Sequence, residues 1–193
     1  MKKYVLASAL ILASSTAISA DYLGLRVGGG LGTGIGDYSL QDIDNSQMSI
    51  STDPSISLEL GYDFNDIFAF NVKGAGTGFK STSKSNSNQS KGTIYELALE
   101  AELGYTFSFD GDTLVKPYVA VGVVTFDKDT SKMLGENNYA KTGRGAIGVR
   151  TILDNGVYFD GRIQSTDFTD KGKGLSAKLD LVTEGRITVG YRF

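Results

Sequence analysis

The 193-residue chain has no cysteine and no histidine. Without cysteine there is no disulfide framework, no thiol nucleophile and no attachment point for an amino-terminal lipid. Without histidine it lacks the commonest general base and the commonest transition-metal ligand. Prolines number only two, whereas glycines number 25, a balance that suits strands with tight curvature. Beyond the first twenty residues no run reaches ~18 consecutive apolar residues, so no helical membrane span is expected. Between Gly28 and Gly36 neither a G-x-G-x-x-G nor a Walker pattern fits the glycine spacing, and no helix pattern follows.

The amino-terminus has a basic start (Lys2, Lys3), an apolar core (Tyr4 to Leu12) and small residues (Ala13 to Ala20). This is the layout of a secretory signal peptide over residues 1–20, cleaved after Ser19 or Ala20. The mature domain is expected over 21–193. It carries 17 basic and 22 acidic residues once Lys2 and Lys3 are removed, which argues against a nucleic-acid partner.

The rest of the chain alternates with period two in eight segments. The first, Leu23 to Ile35, sets Leu23, Leu25, Val27, Leu31 and Ile35 against Gly24, Arg26, Gly28, Gly30, Gly32, Gly34 and Gly36, one crowded face. The second sets Ile56, Leu58, Leu60, Tyr62 and Phe64 against Ser57, Glu59, Gly61 and Asp63. The third sets Phe68, Phe70 and Val72 against Asn71 and Lys73. The fourth sets Tyr95, Leu97, Leu99, Ala101, Leu103, Tyr105 and Phe107 against Glu96, Ala98, Glu100, Glu102 and Gly104. The fifth sets Val115, Pro117, Val119, Val121 and Val123 against Lys116, Tyr118, Ala120 and Gly122. The sixth sets Ile147, Val149 and Thr151 against Arg144, Ala146, Gly148 and Arg150. The seventh sets Val157, Phe159 and Ile163 against Tyr158, Asp160, Arg162 and Gln164. The eighth runs from Leu179 to Phe193, with an apolar face ending Ile187, Val189, Tyr191 and Phe193.

Short connections at Asn65-Asp66, Ser108 to Thr113 and Asp154 to Gly156 alternate with long polar ones at Asp37 to Asp53, Lys80 to Gly92, Asp127 to Ala140 and Asp167 to Lys178. Aromatics gather on the short-turn side. The pattern predicts an all-β, eight-stranded antiparallel up-and-down transmembrane barrel, with both termini on the short-turn side and a closing strand that ends in an aromatic girdle. A soluble barrel of the lipocalin kind shares the alternation, which does not say which face is inside. The terminal aromatic, the girdle and the loop asymmetry favour the membrane version.

The strand Lys116-Pro117-Tyr118-Val119-Ala120-Val121-Gly122-Val123 and the closing Ile187-Thr188-Val189-Gly190-Tyr191-Arg192-Phe193 resemble the small outer-membrane β-barrel family, which includes OmpA-type transmembrane domains, OmpX/Ail-type proteins and opacity-type proteins. The resemblance implies a Gram-negative outer membrane with periplasmic termini. It also implies partners in outer-membrane lipid and lipopolysaccharide, and in periplasmic chaperones and the barrel-assembly machinery, which would read Val189, Tyr191 and Phe193. The chain departs from full-length OmpA in stopping at the barrel, so a cell-wall tether is not expected. Acyl-modifying barrels of this environment use a histidine with a serine, so their activity cannot be carried over. No enzyme, cofactor or metal is expected.

With apolar faces toward lipid, the lumen would receive Arg26, Glu59, Lys73, Glu96, Glu100, Glu102, Lys116, Arg144, Arg150, Asp160, Arg162, Glu184, Arg186 and Arg192. Near-balanced charge suggests an ion-pair network filling a barrel just wide enough for side chains. The expected role is structural or surface-interacting, with an extracellular ligand contacted by the long loops. The alternative is a narrow or gated small-solute porin in which Glu96, Glu100 and Glu102 exchange partners. Lys80 to Lys91, basic and free of acids, is a candidate for polyanion contact. Asp42, Asp44 and Ser46 lack the remainder of a calcium loop.

Overall fold

A computed structural model describes residues 23–34, 38–41, 47–83, 89–109, 113–133, 138–168 and 181–193. Among the described residues ten strands form in chain order: β1 (Gly24–Gly34), β2 (Tyr38–Gln41), β3 (Gln47–Asp63), β4 (Phe68–Ser83), β5 (Gln89–Gly104), β6 (Phe107–Phe109), β7 (Thr113–Phe126), β8 (Lys141–Ile152), β9 (Val157–Asp167) and β10 (Leu181–Arg192). A short helix, α1 (Lys128–Met133), follows β7. Eight of the strands make the wall. β1 pairs antiparallel with β10 (Arg26 opposite Arg192) and with β3 (Gly24 opposite Asp63), so the wall closes on itself as a barrel. β6 continues β5 alongside β7, and β2 pairs with β3 alone.

Closure answers the question that alternation left open: the charged face is inside. Arg26, Lys73, Glu100, Glu102, Arg150 and Arg162 are buried, whereas Leu31, Ile56, Leu58, Val121, Ile147 and Ile187 lie outside at 60–71% exposure. A soluble barrel would invert this, since apolar side chains belong away from water.

The gap between β5 and β6 has a local cause. Tyr105 donates its N–H to Pro117 O at 3.3 Å, but Pro117 has no N–H to return. Thr106 instead donates both N–H and hydroxyl to Asp66 O. Elsewhere the turns follow their residues. Asn65 Oδ1 accepts from the Ile67 and Phe68 amides, and Gly156 takes the left-handed φ of 83° needed after Asp154-Asn155. These turns, the start of β1 and Phe193 share one end, the turn end. Three aromatic pairs ring it, Tyr62–Phe64, Tyr105–Phe107 and Tyr191–Phe193, each edge-on at 5.0 Å.

The opposite, loop end corrects the sequence reading. Asp37 to Asp53 and Lys80 to Gly92 were expected as long loops. The structure instead carries β3 and β4 on past the barrel and adds β2, so that only 84–88 of the second segment and 37 and 42–46 of the first fall outside the described residues. β3, β4 and β5 have 17, 16 and 16 residues, well above the ~9–11 that a tilted membrane strand requires. They therefore project as a sheet. A β-bulge marks its base: Thr52 pairs with Phe79 but Ser55 with Thr77, leaving Asp53-Pro54 opposite Gly78. Above the bulge β3 is shifted by one residue in its register against β4. Met48 and Ile50 there pair with Leu40 and Tyr38. Asp127 to Ala140, also expected as loop, contains α1. Most of Asp167 to Lys178 lies outside the described residues, as do Leu179, Ile35, Gly36 and the Asp42, Asp44 and Ser46 group.

Candidate functional site

The lumen side chains come from every wall strand because each strand turns alternate residues inward. Ten of them form one unbroken chain of alternating sign. It runs Arg162–Glu100 (2.7 Å), Glu100–Lys73 (3.9 Å), Lys73–Glu59 (2.5 Å), Glu59–Arg26 (2.8 Å) and Arg26–Asp63 (2.7 Å). It continues Asp63–Lys116 (3.6 Å), Lys116–Glu102 (3.5 Å), Glu102–Arg150 (2.8 Å) and Arg150–Asp160 (2.9 Å). Five cations face five carboxylates. Nearer the loop end Arg144 grips Glu96 through two nitrogens at 2.9 and 2.7 Å, and Arg186 stands 3.7 Å from Glu96 and 3.4 Å from Glu184. That second cluster holds two cations and two carboxylates, so among the described residues each cluster is neutral by itself.

Burial makes this neutrality necessary. An unpaired ion taken out of water costs several kcal/mol even after relaxation, an amount repaid only by close partners and hydrogen bonds. The uncharged groups supply those bonds. Asn71 accepts from Arg26 Nη2 at 2.9 Å and donates to Glu102 at 3.0 Å. The Tyr118 hydroxyl donates to Asp160 at 2.8 Å, and the Tyr158 hydroxyl to Glu59 at 3.2 Å. The Arg150 guanidinium also lies 5.0 Å from the Tyr118 ring centre and 5.9 Å from that of Tyr158, where the ring faces attract a cation.

The glycine face of β1 receives these large side chains. A Cβ on Gly28 would stand 2.1 Å from the Tyr158 hydroxyl, and one on Gly32 would stand 2.5 Å from Ser55 Oγ. Glycine on one strand and an aromatic crossing from another fill the same cross-section. Apolar clusters close the two ends of the charged interior: Leu114, Ile152 and Tyr158 at the turn end, and Ala98, Val124, Phe126 and Ala140 at the loop end, with Ile94 and Phe168 packed against the latter. Among the described residues no group of histidine, cysteine, aspartate or glutamate is arranged to hold a metal.

A family model described as the outer membrane protein beta-barrel domain matches residues 5–193. The chain belongs to this outer-membrane β-barrel family. Among solved structures, the outer membrane protein OprG from Pseudomonas aeruginosa is 15% identical, with 89% of this chain and 96% of that one covered and a TM-score of 0.52. Neisserial surface protein A is 14% identical over 88% and 97%, with a TM-score of 0.42. The attachment invasion locus protein Ail of Yersinia pestis is 13% identical over 89% and 97%, also at 0.42. No curated protein matches the chain by sequence. At such identity OprG bears on the fold alone. The protein is thus an outer-membrane barrel of Gram-negative type.

Of the fourteen candidate lumen residues, Arg26, Glu59, Lys73, Glu100, Glu102, Lys116, Arg150, Asp160 and Arg162 stand in the larger cluster, and Glu96, Arg144, Glu184 and Arg186 in the smaller. Arg192 lies half-buried at the turn-end rim. The candidate set omitted Asp63, which touches Arg26, Lys116 and Arg150. It also omitted Asn71, Tyr118, Tyr158 and Gln164, all buried. Their signal was parity, since each sits on the polar face of its segment. Val189, Tyr191 and Phe193 lie outward on β10.

Proposed function

We propose that the protein is a plugged outer-membrane scaffold that presents its projecting β-sheet and loop-end connections to the cell exterior for surface interaction. The observation that carries this reading is the lumen. Two neutral ion clusters and two apolar layers occupy the cross-section, and the side chains of Arg26, Arg150, Glu102 and Asp160 are wholly enclosed. The projecting sheet supports the second half of the reading. β5 pairs with β7 only from Glu96 onward, so Gln89 to Tyr95 has no strand partner on that side among the described residues, and β2 forms the other edge. Unpaired strand edges and a polar Lys80 to Lys91 segment are suited to contact with an external polymer.

This reading carries the orientation with it: residues 1–20 are a cleaved signal peptide, the termini are periplasmic and the loop end is outside. Val189, Tyr191 and Phe193 serve as the signal for the assembly machinery, outer-membrane lipid and lipopolysaccharide surround the wall, and no catalytic step is assigned. Amino-terminal sequencing of the purified protein tests the first point; a mature start other than Ala20 or Asp21 would remove it.

The functional test is single-channel recording of the refolded barrel in a planar bilayer beside a Glu100→Gln variant, with folding verified by gel mobility. The expected result is silence from both. Reproducible openings that change with the variant would overturn the plug and make the protein a gated small-solute porin. One observation favours that second reading: Glu184 and Glu96 keep 15% and 10% side-chain exposure, whereas no side chain of the larger cluster exceeds 5%, so the smaller cluster is the looser one. For the surface role, cells bearing the protein with residues 80–91 replaced by a short turn should lose adhesion or serum survival.

A further inference from the structure

On the outer wall at the loop end, β5, β7 and β8 bring together groups that the lumen does not use. Tyr95 and Tyr139 are exposed at 60% and 53%. The Lys128 ammonium lies 5.6 Å from the Tyr139 ring centre, and Lys141 is exposed at the start of β8. Backbone hydrogen bonds tie these positions together. Asp127 N donates to Tyr95 O at 3.1 Å and Phe126 N to Ala140 O at 3.0 Å. The Ser131 hydroxyl accepts from the Ala140 amide and donates to Asp127 O, fastening α1 against β8.

The patch stands at the height of the membrane boundary. Tyr95 is ten residues along β5 from Tyr105 of the turn-end girdle, and Lys141 is ten along β8 from Thr151, the partner of Phe159. Ten residues rise about 34 Å along a strand, or about 26 Å along the membrane normal at a tilt near 40°, close to the roughly 25 Å apolar band of such barrels. Between these rows the outer wall is apolar: Leu97, Leu99, Leu103, Val119, Val121, Val123, Ile147 and Val149.

Two lysines thus stand where the acyl region ends, flanked by aromatic rings. Among the described residues no carboxylate lies within ion-pair distance of either, whereas the neighbouring Lys132 is paired with Asp129 at 3.9 Å. The nearest acid in sequence, Asp127, is engaged by the Thr130 hydroxyl and the Asp129 amide. Slight burial pushes its carboxyl up, but these donors outweigh that and hold it below its usual value.

We propose that Lys128, Lys141, Tyr139 and Tyr95 form a binding site for the phosphorylated head of an outer-leaflet glycolipid. The lysines meet the phosphate, the rings lie against the sugar and upper acyl region, and the chains run down the wall of β5, β7 and β8. The Tyr139 ring face holds the Lys128 ammonium in place before a ligand arrives. The site rests on the proposed orientation, because phosphorylated glycolipid occupies the outer leaflet.

The test is native mass spectrometry of the refolded barrel in detergent titrated with bis-phosphorylated lipid A, a measurement independent of orientation. Bound lipid should survive detergent removal, and dephosphorylated lipid A should bind at least tenfold more weakly. Lys128→Gln and Lys141→Gln should each weaken binding about fivefold, the effect of a lysine near an anionic surface, whereas Lys132→Gln should leave it unchanged. Millimolar inorganic phosphate should not displace the lipid. Equal binding of dephosphorylated lipid A, retention by the double variant, equal loss in Lys132→Gln or full displacement by inorganic phosphate would each overturn the site. Orientation is read separately. The chain has no native cysteine, so a Lys132→Cys variant, at a side chain 73% exposed on α1, labelled by an impermeant maleimide on intact cells reports the loop end outside. An unlabelled but folded variant would sink the orientation even if the lipid bound in detergent.

Discussion

Glu100 and Arg162 are the most separable pair in the lumen. Arg162 places Nη1 and Nη2 at 2.7 and 2.8 Å from the two Glu100 oxygens, while its Nε has no partner. Glu100 has one further cation, Lys73 at 3.9 Å, and Lys73 keeps Glu59 at 2.5 Å whatever happens to Glu100. Glu100→Gln therefore strands one enclosed guanidinium and little else. At an effective dielectric near 20, a pair of unit charges ~4 Å apart attracts by about 4 kcal/mol. Breaking a buried pair from one side typically costs about 3–5 kcal/mol. The expected loss for Glu100→Gln is about 3–5 kcal/mol, and less for Arg162→Met, which leaves Glu100 with Lys73 within reach. Removing both partners, Glu100→Leu with Arg162→Met, should return most of that loss, to within about 2 kcal/mol of the parent. The assay is urea unfolding of barrels refolded into phospholipid vesicles, followed by circular dichroism and by the gel shift of the folded form. If Glu100→Gln comes within about 1 kcal/mol of the parent, or if the double variant loses the sum of the singles, the account of the lumen as a set of mutually dependent ions is refuted.

Four further outcomes follow from local structure. Gly28→Ala should cost about 1–3 kcal/mol, because its Cβ would meet the enclosed Tyr158 side chain, and Tyr158→Phe should relieve part of it. Gly145→Ala, with nothing within 4 Å of its Cβ, should stay within about 0.5 kcal/mol in the same titration. Deleting Pro54 removes the extra residue of the bulge and moves 47–52 by one position against β4; limited proteolysis should then cut the projecting sheet while the gel shift of the barrel persists. Asp127→Ala should loosen α1 by about 1 kcal/mol through loss of its amino-terminal cap, read as faster hydrogen exchange at the Thr130 and Ser131 amides.

The wall strands were legible because lipid and a charged interior impose opposite demands on successive residues. Val119, Val121 and Val123 against Lys116, Tyr118 and Ala120 leave no other period. The projecting sheet was not read, because nothing hydrophobic lies outside it to force a contrast. Ser49, Ser51, Ser81 and Ser83 look like loop residues, and the alternation that is present, Tyr38 with Leu40 and Met48 with Ile50, is split by 42–46 and put out of phase by the bulge at Asp53-Pro54. Charge was read by residue type, which is why Asp63, next to a turn, was passed over and Tyr118 and Tyr158 were not counted as lumen filling. Their glycine counterparts offered a clue: Gly28 and Gly190 lie against Tyr158, and Gly104 and Gly148 against Tyr118. Recognising those pairs requires the strand register, which no single segment contains.

The same register explains why so costly an interior is kept. Replacing buried ions with well-packed apolar residues is often neutral or stabilising, so stability alone does not account for fourteen enclosed charges. A barrel with an apolar interior, however, would be apolar on both faces, and a strand slipped by one residue would lose almost nothing. With charges inside, a one-residue slip of β8 turns Arg144 and Arg150 into lipid, at about 2–4 kcal/mol for a cation at mid-depth and less toward the interface. It also strands Glu96, Glu102 and Asp160 in the lumen. The penalty falls on the wrong pairing and spares the right one, because each cluster is neutral only when every strand is in register. The ion plug therefore specifies the barrel more than it strengthens it. On this argument the double Glu100→Leu, Arg162→Met variant should keep its stability yet refold with a larger misfolded fraction than the parent.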